Sequence, residues 1–317
     1  MHSIPKFSVV IPFFQEEENV EKVIAAVVNV MKTVGELYEV ICIDDGSTDN
    51  TWSILQQEAV NRPEIRAFQL SRNFGKESAL CAGMDKARGE AVITMDGDMQ
   101  HPPELIPEFI RVREENNANV VEGIKIDRGK ETFFSRLGAK TFYAILSKFS
   151  GYDLTGASDF KLMDKYFMNA WRQMPERSIF FRGMCAWLGF KHAEVPFEVA
   201  PRKKGKTKWS FFSLIKFALS GVTAFSSLPL HIITISGFIF LIFAVILGAQ
   251  TLYNKLAGIA VSGFATVILL LLIIGSLLMI GIGITGEYIS RIYNEVKMRP
   301  RYIVSQSVDK YGSNSEE

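Results

Sequence analysis

Ala91-Val92-Ile93-Thr94-Met95-Asp96-Gly97-Asp98-Met99-Gln100-His101-Pro102-Pro103-Glu104 is the stretch whose reading decides the fold. The apolar run Ala91–Met95 has the length and composition of a buried strand, and the proline pair ends it and opens a helix. Asp96 and Asp98 then stand one residue apart at the carboxyl end of that strand. Two carboxylates so placed can share one hard divalent cation, Mg²⁺ or Mn²⁺, which takes oxygen ligands and usually keeps substrate phosphates in its shell. A nucleotide diphosphate suits such a pair. Three letters alone also suit a solvated turn, so the surrounding pattern has to decide.

Working outward, strand and helix patterns alternate. Phe7–Pro12, Tyr38–Ile43, Arg66–Leu70, Ala91–Met95 and Asn119–Glu122 read as strands. Glu18–Met31, Asp49–Val60, Lys76–Ala87 and Leu105–Asn116 read as helices, with Asp49 as an N-cap. This alternation predicts an α/β fold, a Rossmann-like, doubly wound and mostly parallel sheet. Ligands of such sheets bind outside the carboxyl ends of the strands. The polar motifs fall there: Gln15-Glu16-Glu17, Asp44-Asp45-Gly46-Ser47, Ser71-Arg72-Asn73-Phe74-Gly75-Lys76 and Asp96-Gly97-Asp98. No Gly-x-Gly-x-x-Gly follows the first strand, which excludes a dinucleotide-binding dehydrogenase.

The 317 residues carry a net charge of +1, but the charge is unevenly spread. Residues 1–198 hold 29 acids and 23 bases; residues 199–317 hold 5 acids and 12 bases. No acid lies between Glu198 and Glu287. Leu230–Leu252 and Ile259–Ile284 are apolar runs long enough to span hydrocarbon, joined by the short Tyr253–Gly258. Two in succession predict a transmembrane hairpin. Arg202, Lys203, Lys204, Lys206, Lys208 and Lys216 precede it and Arg291, Lys297, Arg299 and Arg301 follow it, which places both termini in the cytoplasm. Trp209–Gly221, rich in aromatic and apolar residues, reads as an interfacial amphipathic helix on anionic lipid. The N-terminus has no signal-peptide core, so the first domain is expected to stay in the cytoplasm. Cys42, Cys81 and Cys185 are widely spaced without a CxxC, and read as buried, reduced thiols.

Four stretches together resemble the family-two glycosyltransferases of GT-A fold, and more narrowly the polyprenyl-phosphate glycosyltransferases. These are Val9-Val10-Ile11-Pro12 with Glu16-Glu17-Glu18-Asn19, Asp44–Asp49, Ser71–Glu77 and Met95–Pro102. The narrower group includes dolichyl-phosphate mannose synthases and bactoprenol glucosyltransferases. Ser71–Lys76, Asp159–Asp164, Gly286-Glu287-Tyr288, Arg291-Ile292-Tyr293 and Arg299-Pro300 carry that narrower match, and the two terminal spans fit the bactoprenol type. The resemblance implies a GT-A catalytic domain over 1–200, a basic linker and interfacial helix over 201–228, a hairpin over 229–286 and a cytoplasmic tail over 287–317. It implies an enzyme at the plasma (inner) membrane that moves one sugar, with inversion, from a nucleotide sugar to a polyprenyl phosphate. UDP-glucose is the donor that family frequency favours, with UDP-GlcNAc, GDP-mannose or a UDP-aminoarabinose derivative as alternatives. The resemblance also suggests a homo-oligomer, a tetramer; nucleic acid is not an expected partner.

Roles carried over by resemblance are these. Pro12, Phe13, Glu17 and Asp44 line the nucleoside pocket, and Asp45 is either a second acid there or a cap on the Ser47–Asp49 turn. Asp96 meets donor and metal, while Asp98 and Gln100 coordinate the metal. His101, where the family often has Asp, sits behind the ligands or fills the turn. Lys76 faces a phosphate or is a solvated helix-start lysine. Arg128 is a catalytic candidate, although the family's arginine falls nearer Lys125, and Lys and Arg do not bind phosphate alike. Arg136, Arg182, Arg202, Lys206 and Lys208 are candidates for the lipid phosphate. Asp159 takes the acceptor's last proton, orients an arginine, or bonds backbone. Two other functions compete: a processive polysaccharide synthase, which usually carries Gln-x-x-Arg-Trp and more spans, and an inactive membrane scaffold. Trp171-Arg172-Gln173 is not the synthase motif.

Overall fold

A computed structural model of the chain describes residues 4–125, 158–177, 180–197, 228–258 and 263–309. The expected interfacial helix, Arg128, Arg136, Arg202, Lys206 and Lys208 lie outside the described residues.

The first unit holds β1 (Phe7–Phe13), α1 (Val20–Val34), β2 (Tyr38–Asp44), α2 (Thr51–Asn61), β3 (Ile65–Leu70), α3 (Lys76–Lys86), β4 (Ala91–Thr94), α4 (Ile106–Asn116) and β5 (Val120–Lys125). It continues with β6 (Lys161–Asp164), α5 (Lys165–Arg172), α6 (Phe181–Trp187), β7 (His192–Phe197) and, after the second unit, β8 (Val304–Val308). The described strands form one sheet in the order β7-β5-β6-β4-β1-β2-β3-β8. β4, β1, β2 and β3 are parallel neighbours, as the alternating pattern requires. The departure is β6, inserted antiparallel between β4 and β5, so β5 is not the next strand after β4. The sheet is therefore mostly parallel.

Burial explains the elements. All seven residues of β1 are buried, as expected of a strand covered on both faces. α1 buries Val20, Val23, Ile24, Val27, Val28 and Met31, the i, i+3, i+4 stripe of a helix lying on a sheet. It stops at Gly35, whose φ of 75° lets its N–H bond to Met31 O. α2 starts at Thr51, two residues after the expected cap; the Asp49 carboxylate still accepts the Thr51 N–H at 3.1 Å. Cys42, Cys81 and Cys185 are buried and free, and burial pushes the Cys185 thiol up to about 12.

β8 returns the chain to the sheet after the apolar helices, pairing antiparallel with β3. A buried polar cluster pins this edge. Arg66 bonds Glu39 at 2.8 Å and Asp309 at 2.9 Å, and Ser8 Oγ donates to Glu39 at 2.6 Å. Part of the segment expected as a tail is thus a strand of the sheet.

The second unit, Trp209–Met298, holds α7 (Leu228–Leu256) and α8 (Phe264–Val296). Both are long and apolar enough to cross a membrane, over Leu230–Leu256 and Ile273–Val296. Their large side chains point outward: Phe238, Ile242, Leu271 and Ile282 are each more than 60% exposed. A soluble protein would cover such surface.

Candidate active site

The site forms where β1, β2, β3 and β4 end together. A cavity of about 480 Å³ is lined by Pro12, Phe13, Phe14 and Glu16 from the end of β1 and by Asp45 after β2. Asn73, Gly75 and Lys76 from the β3–α3 loop and Asp96, Gly97 and Asp98 after β4 complete it. Two glycines make this convergence possible. Gly46 has a φ of +69°, and a Cβ there would lie 2.4 Å from the Arg72 carbonyl carbon. It lets the β2 loop press on the β3 loop. A Cβ on Gly97 would meet the Phe13 ring at 2.6 Å, so only glycine fits between the two aspartates. Gln15 and Met99 hold positive φ in the loops that follow β1 and β4, conformations that cost energy and cluster at functional sites.

The two neighbouring acids after β2 divide their work. Asp44 is fully buried; its carboxylate accepts from Ser47 N at 3.1 Å and from Gln69 Nε2 at 2.9 Å. The cavity lining includes Asp45 and not Asp44. Asp45 faces the cavity, and it accepts from Phe74 N at 2.8 Å and Gly75 N at 2.9 Å. It pins the loop that carries Lys76; the Ser47–Asp49 turn is capped by Asp44 instead. Burial raises the Asp45 pKa, and those two N–H groups oppose the rise.

Glu17 is exposed and outside the lining, its carboxylate accepting the Asn50 N–H at 3.0 Å, while Glu16 lines the cavity. Gln100 is also outside the lining; its N–H donates to Asp98 Oδ1 at 3.0 Å, turning the chain away after the second aspartate.

Beneath Asp96 lies His101, 1% exposed, stacked on Phe160 at 5.2 Å and edge-on to Phe197 at 5.9 Å. The Asp96 N–H donates to His101 Nδ1 at 3.0 Å, so the ring proton sits on Nε2, 3.8 Å from Asp96 Oδ2. His101 therefore supports Asp96 from behind as well as filling the turn.

Four charged side chains run from the cavity into the domain. The Lys76 ammonium lies 2.6 Å from Asp96 Oδ1 and 2.5 Å from Asp159 Oδ2. Arg182 grips Asp159 with two N–H groups, Nε to Oδ1 at 2.8 Å and Nη2 to Oδ2 at 3.1 Å. Burial works to raise the Asp159 pKa, but Arg182 and Lys76 outweigh it and hold the carboxyl far below the usual range. Asp159 is thus a fixed anion that orients two cations, and a weak base. Burial likewise opposes the charge on Lys76, yet Asp96 and Asp159 hold its pKa above the usual lysine value.

Glu77, beside Lys76, had no role assigned from sequence. Its Oε1 accepts the Phe181 N–H at 3.3 Å, tying α3 to the start of α6 where Arg182 sits. Burial, then the neighbouring Asp159 charge, push Glu77 up to about 7. The folded state therefore binds the Glu77 proton more tightly than the unfolded chain, and this group's contribution falls as pH rises from about 4.5 to 7. In Glu77→Gln, which keeps an acceptor for Phe181 N–H but cannot ionise, that loss disappears. The thermal midpoint of the variant minus that of the natural chain is expected to increase between pH 5 and pH 8. A difference independent of pH would contradict the assignment.

The donor set suits a hard divalent ion. Asp96 and Asp98 both line the cavity, and Asp96 Oδ1 is buried with an ion-pair contact to Lys76 in place of a directed hydrogen bond. Among the described residues no three His, Cys, Asp or Glu side chains cluster as a self-sufficient metal site. Two carboxylates leave the remaining positions to substrate oxygens and water, the usual arrangement for Mg²⁺.

A mostly parallel sheet of this order, with paired aspartates beyond a central strand, defines a GT-A glycosyltransferase. The chain belongs to glycosyl transferase family 2, whose model matches residues 8–180, and it is a glycosyltransferase. A Synechocystis protein named uncharacterized glycosyltransferase sll0501 is 38% identical over 302 residues, covering 95% of each chain. The prophage bactoprenol glucosyl transferase homolog of Escherichia coli is 37% identical, covering 95% of this chain and 99% of its own. Among solved structures, glucosyl-3-phosphoglycerate synthase from Mycobacterium tuberculosis, in complex with Mn²⁺, UDP-glucose and phosphoglyceric acid, shares the fold. Its TM-score is 0.50 at 19% identity, covering 69% of this chain and 79% of that one.

Proposed function

We propose that this enzyme transfers a single glucose from UDP-glucose to a polyprenyl phosphate, undecaprenyl phosphate, at the cytoplasmic face of the plasma membrane. The observation that carries the reading is the meeting of Asp96, Asp98 and Lys76 in one cavity at the strand ends. Relatives named bactoprenol glucosyl transferase, matched over nearly the full chain, support the lipid acceptor. The two long apolar helices support membrane residence, and the lysines and arginines flanking them in the sequence support a cytoplasmic catalytic domain.

The chemistry follows from the residues. Pro12 and Phe13 offer an apolar wall to the nucleoside, and Glu16 and Asp45 supply nearby carboxylates. Mg²⁺ or Mn²⁺ held by Asp96 and Asp98 would neutralise charge on the departing nucleoside diphosphate. A phosphate monoester is already anionic at neutral pH, so the acceptor needs orientation more than deprotonation. Asp159 serves that need by fixing Lys76 and Arg182, two cations suited to phosphate oxygens. Attack by the acceptor oxygen on the anomeric carbon as the nucleotide leaves is a single displacement, which inverts the anomeric centre.

Membranes carrying the chain, supplied with undecaprenyl phosphate and a panel of radiolabelled nucleotide sugars, test the reading. Transfer of label from UDP-glucose to an organic-soluble lipid is expected. Labelling from another nucleotide sugar alone would correct the donor, and no lipid labelling from any donor would remove the function.

A further inference from the structure

The placement of Lys76 raises a question the mechanism does not answer. Its ammonium is 2.6 Å from Asp96 Oδ1, an oxygen that is otherwise buried without a directed hydrogen bond. Asp96 Oδ2 faces His101 Nε2 at 3.8 Å. The lysine is therefore the close counter-ion of the very carboxylate assigned to the metal. An ammonium and a divalent ion crowding one carboxylate oxygen repel each other, in a partly buried place that screens them poorly.

The other partner of Lys76 does not depend on it. Asp159 has its own pair of bonds from Arg182, at 2.8 and 3.1 Å. Lys76 can leave Asp96 without stranding Asp159. The lysine side chain is 42% exposed and lines the cavity, so it has room to move. Its stem starts α3 directly after Gly75, in a loop held by the Asp45 carboxylate. The base of the side chain is thus anchored by backbone, while its tip is held by ion pairs to Asp96 and Asp159, of which the first can be exchanged.

We propose that Lys76 is an exchangeable counter-ion: it neutralises Asp96 in the donor-free enzyme and yields that oxygen to the divalent cation when a nucleoside diphosphate enters. The diphosphate gives the displaced ammonium a new anion to face. Metal and nucleotide therefore bind with positive coupling, and each strengthens the other by the same factor. The lysine lowers metal affinity in the empty site and recovers the loss only when donor is present. This extends the proposed function, since it rests on Asp96 as a metal ligand.

The test is Mn²⁺ binding to the full chain in detergent, read by the electron paramagnetic resonance signal of free Mn²⁺, with and without UDP. In the natural chain, UDP is expected to tighten Mn²⁺ binding at least tenfold. Lys76→Met is expected to bind Mn²⁺ at least fivefold more tightly than the natural chain without UDP, and to show a correspondingly smaller gain on adding UDP. Adding Asp96→Asn to Lys76→Met should abolish the gain in affinity. Unchanged or weaker Mn²⁺ binding by a folded Lys76→Met, while the natural chain binds Mn²⁺ with UDP, would overturn the exchange alone. Should Lys76→Met fail to fold, Lys76→Gln gives the same readout. If the natural chain holds no Mn²⁺ even with UDP, the metal assignment falls and the exchange falls with it.

Discussion

Asp96→Asn and Asp98→Asn are each expected to lower sugar transfer by at least about a thousandfold, with little loss of stability. Charge on the departing nucleotide must be met in the transition state, and the loss of one such stabilising group typically costs two to three powers of ten or more. The fold tolerates both changes for visible reasons. The side-chain amide introduced by Asp98→Asn would still offer an oxygen to the Gln100 N–H, now 3.0 Å from Asp98 Oδ1. In the Asp96 variant the backbone bond to His101 is untouched, and Lys76 keeps Asp159. Initial rates with a labelled donor, alongside a thermal melt, check this. Either variant retaining more than about a tenth of natural activity would remove that carboxylate from the mechanism.

The second large effect belongs to Asp159→Asn. Here one uncharged amide replaces the anion that holds both Lys76 and Arg182. Removing one partner of a buried pair costs roughly 3–5 kcal/mol. Lys76 is 42% and Arg182 27% exposed, so water recovers part of that, leaving about 2 kcal/mol. For a domain of this size the thermal midpoint should fall by roughly 4–8 °C. Activity should fall by about a hundredfold, because two cations lose their orientation. Differential scanning fluorimetry and initial rates read the two effects on one preparation. Full stability and full activity together would show that the Asp159 clamp does no positioning.

The parallel core was legible because its strands are short apolar runs separated by amphipathic helices. β1, β2 and β3 fall within a residue of the boundaries that pattern predicts. β6 and β8 were not legible, since each is defined by a partner distant in sequence. Lys161-Leu162-Met163-Asp164 is too short to show a period, and its place beside β4 is set by tertiary pairing. Val304–Val308 is a polar edge strand whose middle residues are exposed, and its partner β3 lies more than 230 residues earlier. Within the site, the Asp-x-Asp pair was legible from its place after an apolar strand, while the sequence left Lys76 open between a phosphate-facing and a solvated position. The choice between adjacent acids was not legible. Successive residues at a strand end point to opposite sides, so whether Asp44 or Asp45, Glu16 or Glu17, meets the cavity depends on a register that a single sequence leaves open. Glu77 was not legible because its near-neutral pKa arises from burial and then from the Asp159 charge, neither of which its neighbours in sequence reveal.

The central claim is that a cation gripped by Asp96 and Asp98 assists loss of the nucleotide to a lipid phosphate. Its most direct test is mass spectrometry of the lipid formed by the purified full chain from UDP-glucose and undecaprenyl phosphate, before chelation, after EDTA, and after Mn²⁺ is restored. Glucosylated undecaprenyl phosphate should form, disappear with EDTA and return with Mn²⁺. Equal product in all three conditions would contradict the account.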